Sequence, residues 1–344
     1  MLDFVIDIFA LQFIMMIVHF HFHSHKTGVT KSVENIIPVL NKFSEAKVFG
    51  YGIDAPKISL SHLLRLIYSD NNMIIHTHRN NEIILALLLR LFRGKFKLVF
   101  TRHSESKPSD FTLWLMKKAD HLITLSFSMS KSLPCRSTLI HHGVNTEIFD
   151  IREKTRLNGI QQKNLISIIG RIRPAKGQLV VLKALLQPLK NYPDWGLLLI
   201  GKVDDKKYTD ELISVAREDG ISSQVHFMKE SDEIVGYYSA SNIVVIASLS
   251  EGFSLVCLEA MACGLVTIAT GYVGIHSEVI TNGVNGFLFP RNDHESLSRI
   301  LTDVMSGKTI PDPEKIRRTI VEEWSVEKNV RELLKLYETS PLPR

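Results

Sequence analysis

The chain has 344 residues, 45% of them hydrophobic and 22% charged, with a net charge of +5. That length is generous for one domain and suits two of roughly 150–180 residues, and the composition excludes a disordered tail or a low-complexity polymer. The charge is too small to point to nucleic acid, and the odd set of Cys135, Cys257 and Cys263 has no metal-ligand spacing and fits a reducing, cytoplasmic setting.

Residues 4–20 are apolar but broken by Asp7, Gln12 and His19, so they are short for a membrane span, and no basic segment precedes them as in a secretory leader. Residues 1–14 read as an extension outside the core, with an amphipathic membrane contact as the rival reading. A first strand is expected near 15–21, followed by strands near 46–50, 73–76, 97–101 and 121–125. Helices are expected near 30–43, 59–68, 81–93 and 110–119. The helix after Thr30 places Val33, Ile36, Ile37 and Leu40 on one face. Gly28 is expected in the turn before it, where a backbone without a Cβ lets a ligand approach closely.

Residues 1–150 hold 17 Lys and Arg against 12 Asp and Glu, whereas the remainder is balanced. The basic bias of the first half suits an acidic acceptor or an anionic membrane surface, with Lys26, Lys31, Arg79 and Arg102 on segments expected to rim a binding site. His19, His21, His23 and His25 alternate, so an extended chain would put them on one face. No Cys or carboxylate completes them, and no metal site is expected. His76-Thr77-His78-Arg79 and Thr101-Arg102-His103 each follow an apolar strand, and strand ends of doubly wound sheets face the ligand.

The polar stretch 151–163 reads as a linker between a first domain, 1–150, and a second, 164–324. The second domain repeats the rhythm: strands at 165–169, 196–200, 225–228, 242–247 and 266–269, helices at 177–190, 208–219, 231–239 and 254–263. An amphipathic helix closes the chain within 325–344. Gly170-Arg171-Ile172-Arg173-Pro174-Ala175-Lys176-Gly177 joins a strand to a helix and is not a phosphate-binding Walker loop, since no Gly-Lys-Ser/Thr ends it. Its two cations, Arg171 and Lys176, suit a diphosphate. Arg173 reads as a surface residue.

The most informative segment is Glu251-Gly252-Phe253-Ser254-Leu255-Val256-Cys257-Leu258-Glu259. It sets two carboxylates across a loop-to-helix junction, with Ser254 expected as N-cap and the free amides beyond it suited to a diphosphate. Glu259, inside the helix, is placed to take a sugar hydroxyl. This pattern, with the Glu-Ala-Met-Ala-Cys-Gly run, resembles the signature of retaining glycosyltransferases of family 4. The run from His141 to Phe149, with Asn145 where Asp is usual, and the run from Thr281 to Pro290 resemble the same family.

The resemblance implies a GT-B fold: two Rossmann-like α/β domains with doubly wound parallel sheets facing a cleft, and a last helix returning to the first domain. It implies that Glu251 contacts the transferred sugar, that Phe253, Ser254 and Leu255 meet sugar and phosphate, and that Glu259 binds the ribose. It further implies that Arg171 and Lys176 stabilise the leaving diphosphate and that His103 lies close to the donor sugar. The substrate would be a nucleotide sugar, with no cofactor and no metal, the latter in keeping with the absence of any Asp-x-Asp pair. The turn from His25 to Ser32 and the segments around His76 and Lys97 resemble the lipopolysaccharide core mannosyltransferases of that family. They imply GDP-mannose as donor, an anionic glycolipid acceptor, and peripheral contact with the cytoplasmic face of an inner membrane. Transfer from a UDP-sugar, a GT-B nucleotide-sugar epimerase and a non-catalytic nucleotide-sugar-binding protein are the alternatives.

Overall fold

A computed structural model describes residues 15–69, 72–92, 94–231 and 233–339. The reading of residues 1–14 as an extension lies outside them. The chain divides into two compact units, residues 1–141 with 329–344, and residues 142–328.

The first unit is a six-stranded parallel sheet in the order β2-β1-β3-β4-β5-β6. Its strands are β1 (Met16–Phe22), β2 (Glu45–Tyr51), β3 (Met73–Thr77), β4 (Lys97–Arg102), β5 (His121–Thr124) and β6 (Thr138–Leu139). The helices are α1 (Gly28–Leu40), α2 (Leu60–Ser69), α3 (Asn80–Leu91), α4 (Asp110–Met116) and α5 (Phe127–Ser132). β3 is buried at every residue, as a parallel strand covered on both faces must be.

α1 starts earlier than the sequence pattern places it. Thr27 and Thr30 bond each other's backbone amides in a capping box, so Gly28 is the first helical residue and not part of a preceding turn. Nothing lies within 4 Å of where a Cβ at Gly28 would sit. The ends of β1 and β3 are tied by Glu82, which is fully buried. Its carboxylate accepts from the amides of Phe22 (3.2 Å), His78 (2.7 Å) and Arg79 (3.0 Å). Arg79 in turn donates to Thr27 Oγ1 at 3.1 Å.

The second unit is a second six-stranded sheet in the order β12-β11-β10-β7-β8-β9. It comprises β7 (Asn164–Ile169), β8 (Trp195–Ile200), β9 (Val225–Met228), β10 (Ile243–Ile246), β11 (Val266–Thr270) and β12 (Phe287–Phe289). Its helices are α6 (Gln178–Asn191), α7 (Lys206–Glu218), α8 (Ile234–Ala240), α9 (Leu255–Ala262), α10 (His276–Val279), α11 (His294–Met305) and α12 (Pro313–Glu323). Its core combines β-strand residues such as Ile166, Leu197 and Val245 with Val181, Leu185, Leu297 and Leu301 of the flanking helices.

α13 (Val326–Glu338) closes the chain, and from Asn329 onward it belongs to the first unit. There Tyr337, fully buried, meets His76 Nδ1 at 2.7 Å, and Lys97 Nζ donates to the Tyr337 carbonyl at 2.8 Å. Among the described residues, no helix is long and apolar enough to cross a membrane.

Burial holds His19, His21, His121, His226 and His276 below the ordinary imidazole value of 6.5, His19 at about 3. The unfolded chain therefore takes up more protons than the folded one as pH falls. Their contribution to stability is complete above 6.5 and is lost below it. Glu82, raised by burial to about 7 against backbone donors that pull it down, opposes them: its contribution is lost as pH rises from 4.5 through 7. With five groups against one, the urea midpoint should fall between about pH 7.5 and about pH 5.5. A midpoint that stays level or rises over that interval contradicts this balance.

Candidate active site

The candidate site of the second unit stands at the carboxyl ends of three adjacent strands, β7, β10 and β11. The loop after β7 runs from Gly170 through a single 3-10 turn, Pro174–Lys176, into α6. The loop after β10 carries Ser248, Glu251 and Phe253 into α9. The two loops touch through the Leu249 amide, which donates to the Ala175 carbonyl at 3.0 Å. Gly177 allows the approach: its φ is +70°, and a Cβ there would lie 2.1 Å from the Ala247 carbonyl oxygen.

Lys176 and Glu251 form an ion pair across these loops, their side chains only 21% and 15% exposed. Ser248 Oγ donates to the same carboxylate oxygen at 2.6 Å. Burial pushes the Glu251 carboxyl up, but the Lys176 ammonium, with the Ser248 hydroxyl and His276, more than offsets it and holds the group below its usual value. Glu251 is therefore a carboxylate at neutral pH.

Ser254 departs from its expected role. It stands at the N-cap position of α9 but has φ 93° and ψ 68°, a left-handed backbone that L side chains rarely adopt, and its hydroxyl caps no helix amide. Its Oγ instead lies 3.0 Å from His276 Nε2. His276 Nδ1 faces the Thr270 carbonyl at 2.8 Å, an acceptor, so Nδ1 carries the proton and Nε2 accepts from Ser254. The fully buried His276 thus fixes both the Ser254 hydroxyl and the start of α9. Gly274 lets this loop close on the other, since a Cβ would meet the Phe253 carbonyl at 2.7 Å.

The remaining expected residues are placed as follows. Leu255 is the first residue of α9. The Phe253 side chain is buried edge-on against His142 and tilted against Trp324, so it presents backbone, not its ring. Glu259 is 6% exposed and accepts from the Tyr238 hydroxyl at 2.7 Å. Arg171 is not drawn to Lys176: it is half-exposed and pairs with Asp204 at 3.1 Å, after β8. Arg173 is partly buried, not at the surface.

Next to the Arg171 loop, the ends of β8 and β9 border an open pocket of about 320 Å³ lined by Ile172, Val203, Phe227 and Met228 among others. In the first unit His103 Nε2 lies 3.0 Å from His78 Nδ1. Arg102 is buried and donates to the Ser106 carbonyl, so it does not rim a surface as expected, whereas Lys26 and Lys31 are exposed. Asn145 accepts from the amides of Glu147 and Ile148 at 3.0 and 3.1 Å, the work an Asp would do there.

Sequence reasoning did not find His276, Ser248, Tyr238 or Asp204. The spacing Thr270…His276 after an apolar strand is the one available signal, and it is weak without the fold.

The pattern of the group 1 glycosyl transferases matches residues 150–323, which hold every element of this site. The chain belongs to that family. It is 27% identical over 303 residues to the lipopolysaccharide core biosynthesis mannosyltransferase LpcC of Rhizobium leguminosarum bv. viciae, covering 84% of this chain and 86% of the relative. It is 29% identical over 277 residues to the lipopolysaccharide core biosynthesis mannosyltransferase LpsB of Rhizobium meliloti, covering 76% and 79%. The crystal structure of Anabaena Alr3699/HepE in complex with UDP and glucose superposes with a TM-score of 0.74 at 17% identity, covering 94% of this chain and all of that one. The fold is GT-B.

Replacing Gly177 with Ala should destabilise the second unit by about 1–3 kcal/mol, because the left-handed backbone and the Ala247 carbonyl cannot both be kept. Urea denaturation of Gly177→Ala measures it, with Gly220→Ala as reference: that glycine also has positive φ but open space around its Cβ. Equal losses in the two variants would remove the close approach as the cause.

Proposed function

We propose that this group 1 glycosyltransferase transfers a hexose, with retained configuration, from a nucleotide sugar to a lipopolysaccharide core or related anionic glycolipid. GDP-mannose is the favoured donor. The observation that carries the reading is the Lys176–Glu251 pair just before α9: a half-buried cation and carboxylate held together near a helix start that no side chain caps. The similarity to two lipopolysaccharide core mannosyltransferases over most of their length supports the sugar and the acceptor.

In this reading the donor diphosphate takes Lys176 and the first amides of α9, and Glu251 orients the sugar. Arg171 lies on a half-exposed side chain whose Asp204 partner it exchanges for phosphate oxygen. The nucleobase occupies the cavity lined by Ile172, Val203, Phe227 and Met228, and Glu259 takes the ribose. The negative charge that grows on the leaving diphosphate is met by fixed cations and dipoles, with no divalent ion on the phosphates. Retention follows from attack on the face the diphosphate leaves, its oxygen taking the acceptor proton. The first unit, with exposed Lys26 and Lys31, takes the anionic acceptor at the cytoplasmic face of an inner membrane.

Transfer of radiolabelled mannose from GDP-mannose to isolated lipopolysaccharide core should exceed transfer from UDP-sugars. Lys176→Ala should lower turnover on the order of 10²–10³-fold, the loss seen for one donor to a transition-state charge. Near-wild-type turnover in that variant would take Lys176 out of the site, and free epimerised nucleotide sugar without transfer would favour an epimerase.

Magnesium and manganese, added after chelation, should leave the rate of transfer unchanged. A strict need for either ion would place a metal on the diphosphate.

A further inference from the structure

The geometry points to a transition-metal site in the first unit, formed by His19, His76 and His78. Parallel pairing puts His19 of β1 directly beside His76 of β3, so both side chains stand on one face of the sheet. His78 follows two residues after His76 and returns to the same face. The three rings lie with centroids 4.6, 4.6 and 5.3 Å apart, and one nitrogen from each falls within 4.8 Å of the others. All three residues are buried, at 0%, 1% and 5% exposure.

Two features mark this cluster. First, His19 Nε2 is buried without any hydrogen-bond partner. A polar nitrogen left so loses the hydrogen bond it would make to water, and an ion can supply that missing partner. Second, His19 Nδ1 and His78 Nε2 face each other at 3.0 Å. Two imidazole nitrogens bound about 2.0–2.1 Å from one ion stand roughly 3.0–3.4 Å apart, so an ion can take the place of the proton this pair shares, in which case Nδ1 and not Nε2 is the ligand atom of His19.

The outer nitrogens are supported as ligand rings usually are. His78 Nδ1 meets His103 Nε2 at 3.0 Å, and His76 is held between the Tyr337 hydroxyl and Thr101 Oγ1, each at 2.7 Å. An ion would take one of those two nitrogens of His76 and leave the other as its anchor.

An all-imidazole set selects a borderline divalent ion such as zinc or cobalt over magnesium or calcium, which prefer oxygen. Among the described residues no carboxylate joins the three histidines. Such an ion would fix the ends of β1 and β3 and, through His78, the ring of His103. It differs in chemistry from a hard divalent ion on a diphosphate.

The test uses the full-length protein, stripped with a chelator and titrated with cobalt(II), then zinc(II), with magnesium as the hard-ion control. The expected result is a single equivalent of cobalt with visible absorption of a nitrogen-ligated site, displaced by zinc and untouched by magnesium. His19→Gln and His78→Gln should each abolish it. His21→Gln should not, because that ring on the same strand is engaged by the Tyr51 carbonyl and Thr30 Oγ1. Circular dichroism checks folding, and if the cluster variants do not fold, X-ray absorption on the cobalt-loaded wild type counts imidazole ligands directly. Absence of stoichiometric cobalt in the wild type, binding retained in folded His78→Gln, or fewer than two imidazoles on the ion would overturn the site. Nucleotide titration of the same samples reports on the donor site independently.

Discussion

A carboxylate withdrawn from water must be met by hydrogen-bond donors or positive charge, and Glu251 meets both in the second unit. Its answer, Lys176, comes from a different strand, so the pair forms only if the loops after β7 and β10 lie against each other. Gly177, the Leu249 amide and Ser248 all serve this approach. Leaving such a carboxylate unpaired would cost more than the pair itself contributes, which makes the contact a specification of loop geometry more than a source of stability. His276 extends the same logic to β11: a neutral ring takes the hydroxyl of Ser254 and holds its left-handed backbone in place. Three neighbouring strand ends are thereby locked into one polar arrangement.

The first unit solves burial differently. Its strand ends carry imidazoles, and the buried carboxylate there, Glu82, is satisfied by backbone amides instead of a cation. A carboxylate that binds peptide N–H groups shapes the chain, whereas one that binds an ammonium leaves charge available to a ligand.

Most of the architecture was legible in the sequence because parallel strands buried on both faces write unbroken apolar runs, such as 165–169 and 243–246, separated by helix periods. The loop-helix junction at Glu251 was legible for a similar reason, since its residues are contiguous. What escaped was whatever depends on contact across the fold. Ser254 satisfies every local rule for an N-cap, but His276, 22 residues later, takes its hydroxyl. Arg171 and Lys176 are neighbours in sequence, yet different carboxylates, Asp204 and Glu251, draw them apart. The histidine alternation at 19–25 was visible, but β1 ends at Phe22, so His23 and His25 leave the sheet and the partners of His19 come from β3. Helices α11 and α12 lie in a stretch the sequence reading leaves unassigned, where Pro311 and Pro313 and a high charge content mask the apolar face of Ile316 and Ile320.

The packing of α13 has a consequence for how the protein is made. Tyr337 and His76 are 261 positions apart, and Lys97 reaches the carbonyls of Tyr337 and Thr339. On the ribosome, the first sheet emerges before the helix that packs on it, which follows only after the whole of the second unit. The second unit is one uninterrupted segment, residues 142–328, and has all its parts earlier. The usual vectorial order, first domain first, is thus reversed for completion: the nascent first unit must wait, with apolar surface uncovered, for α13.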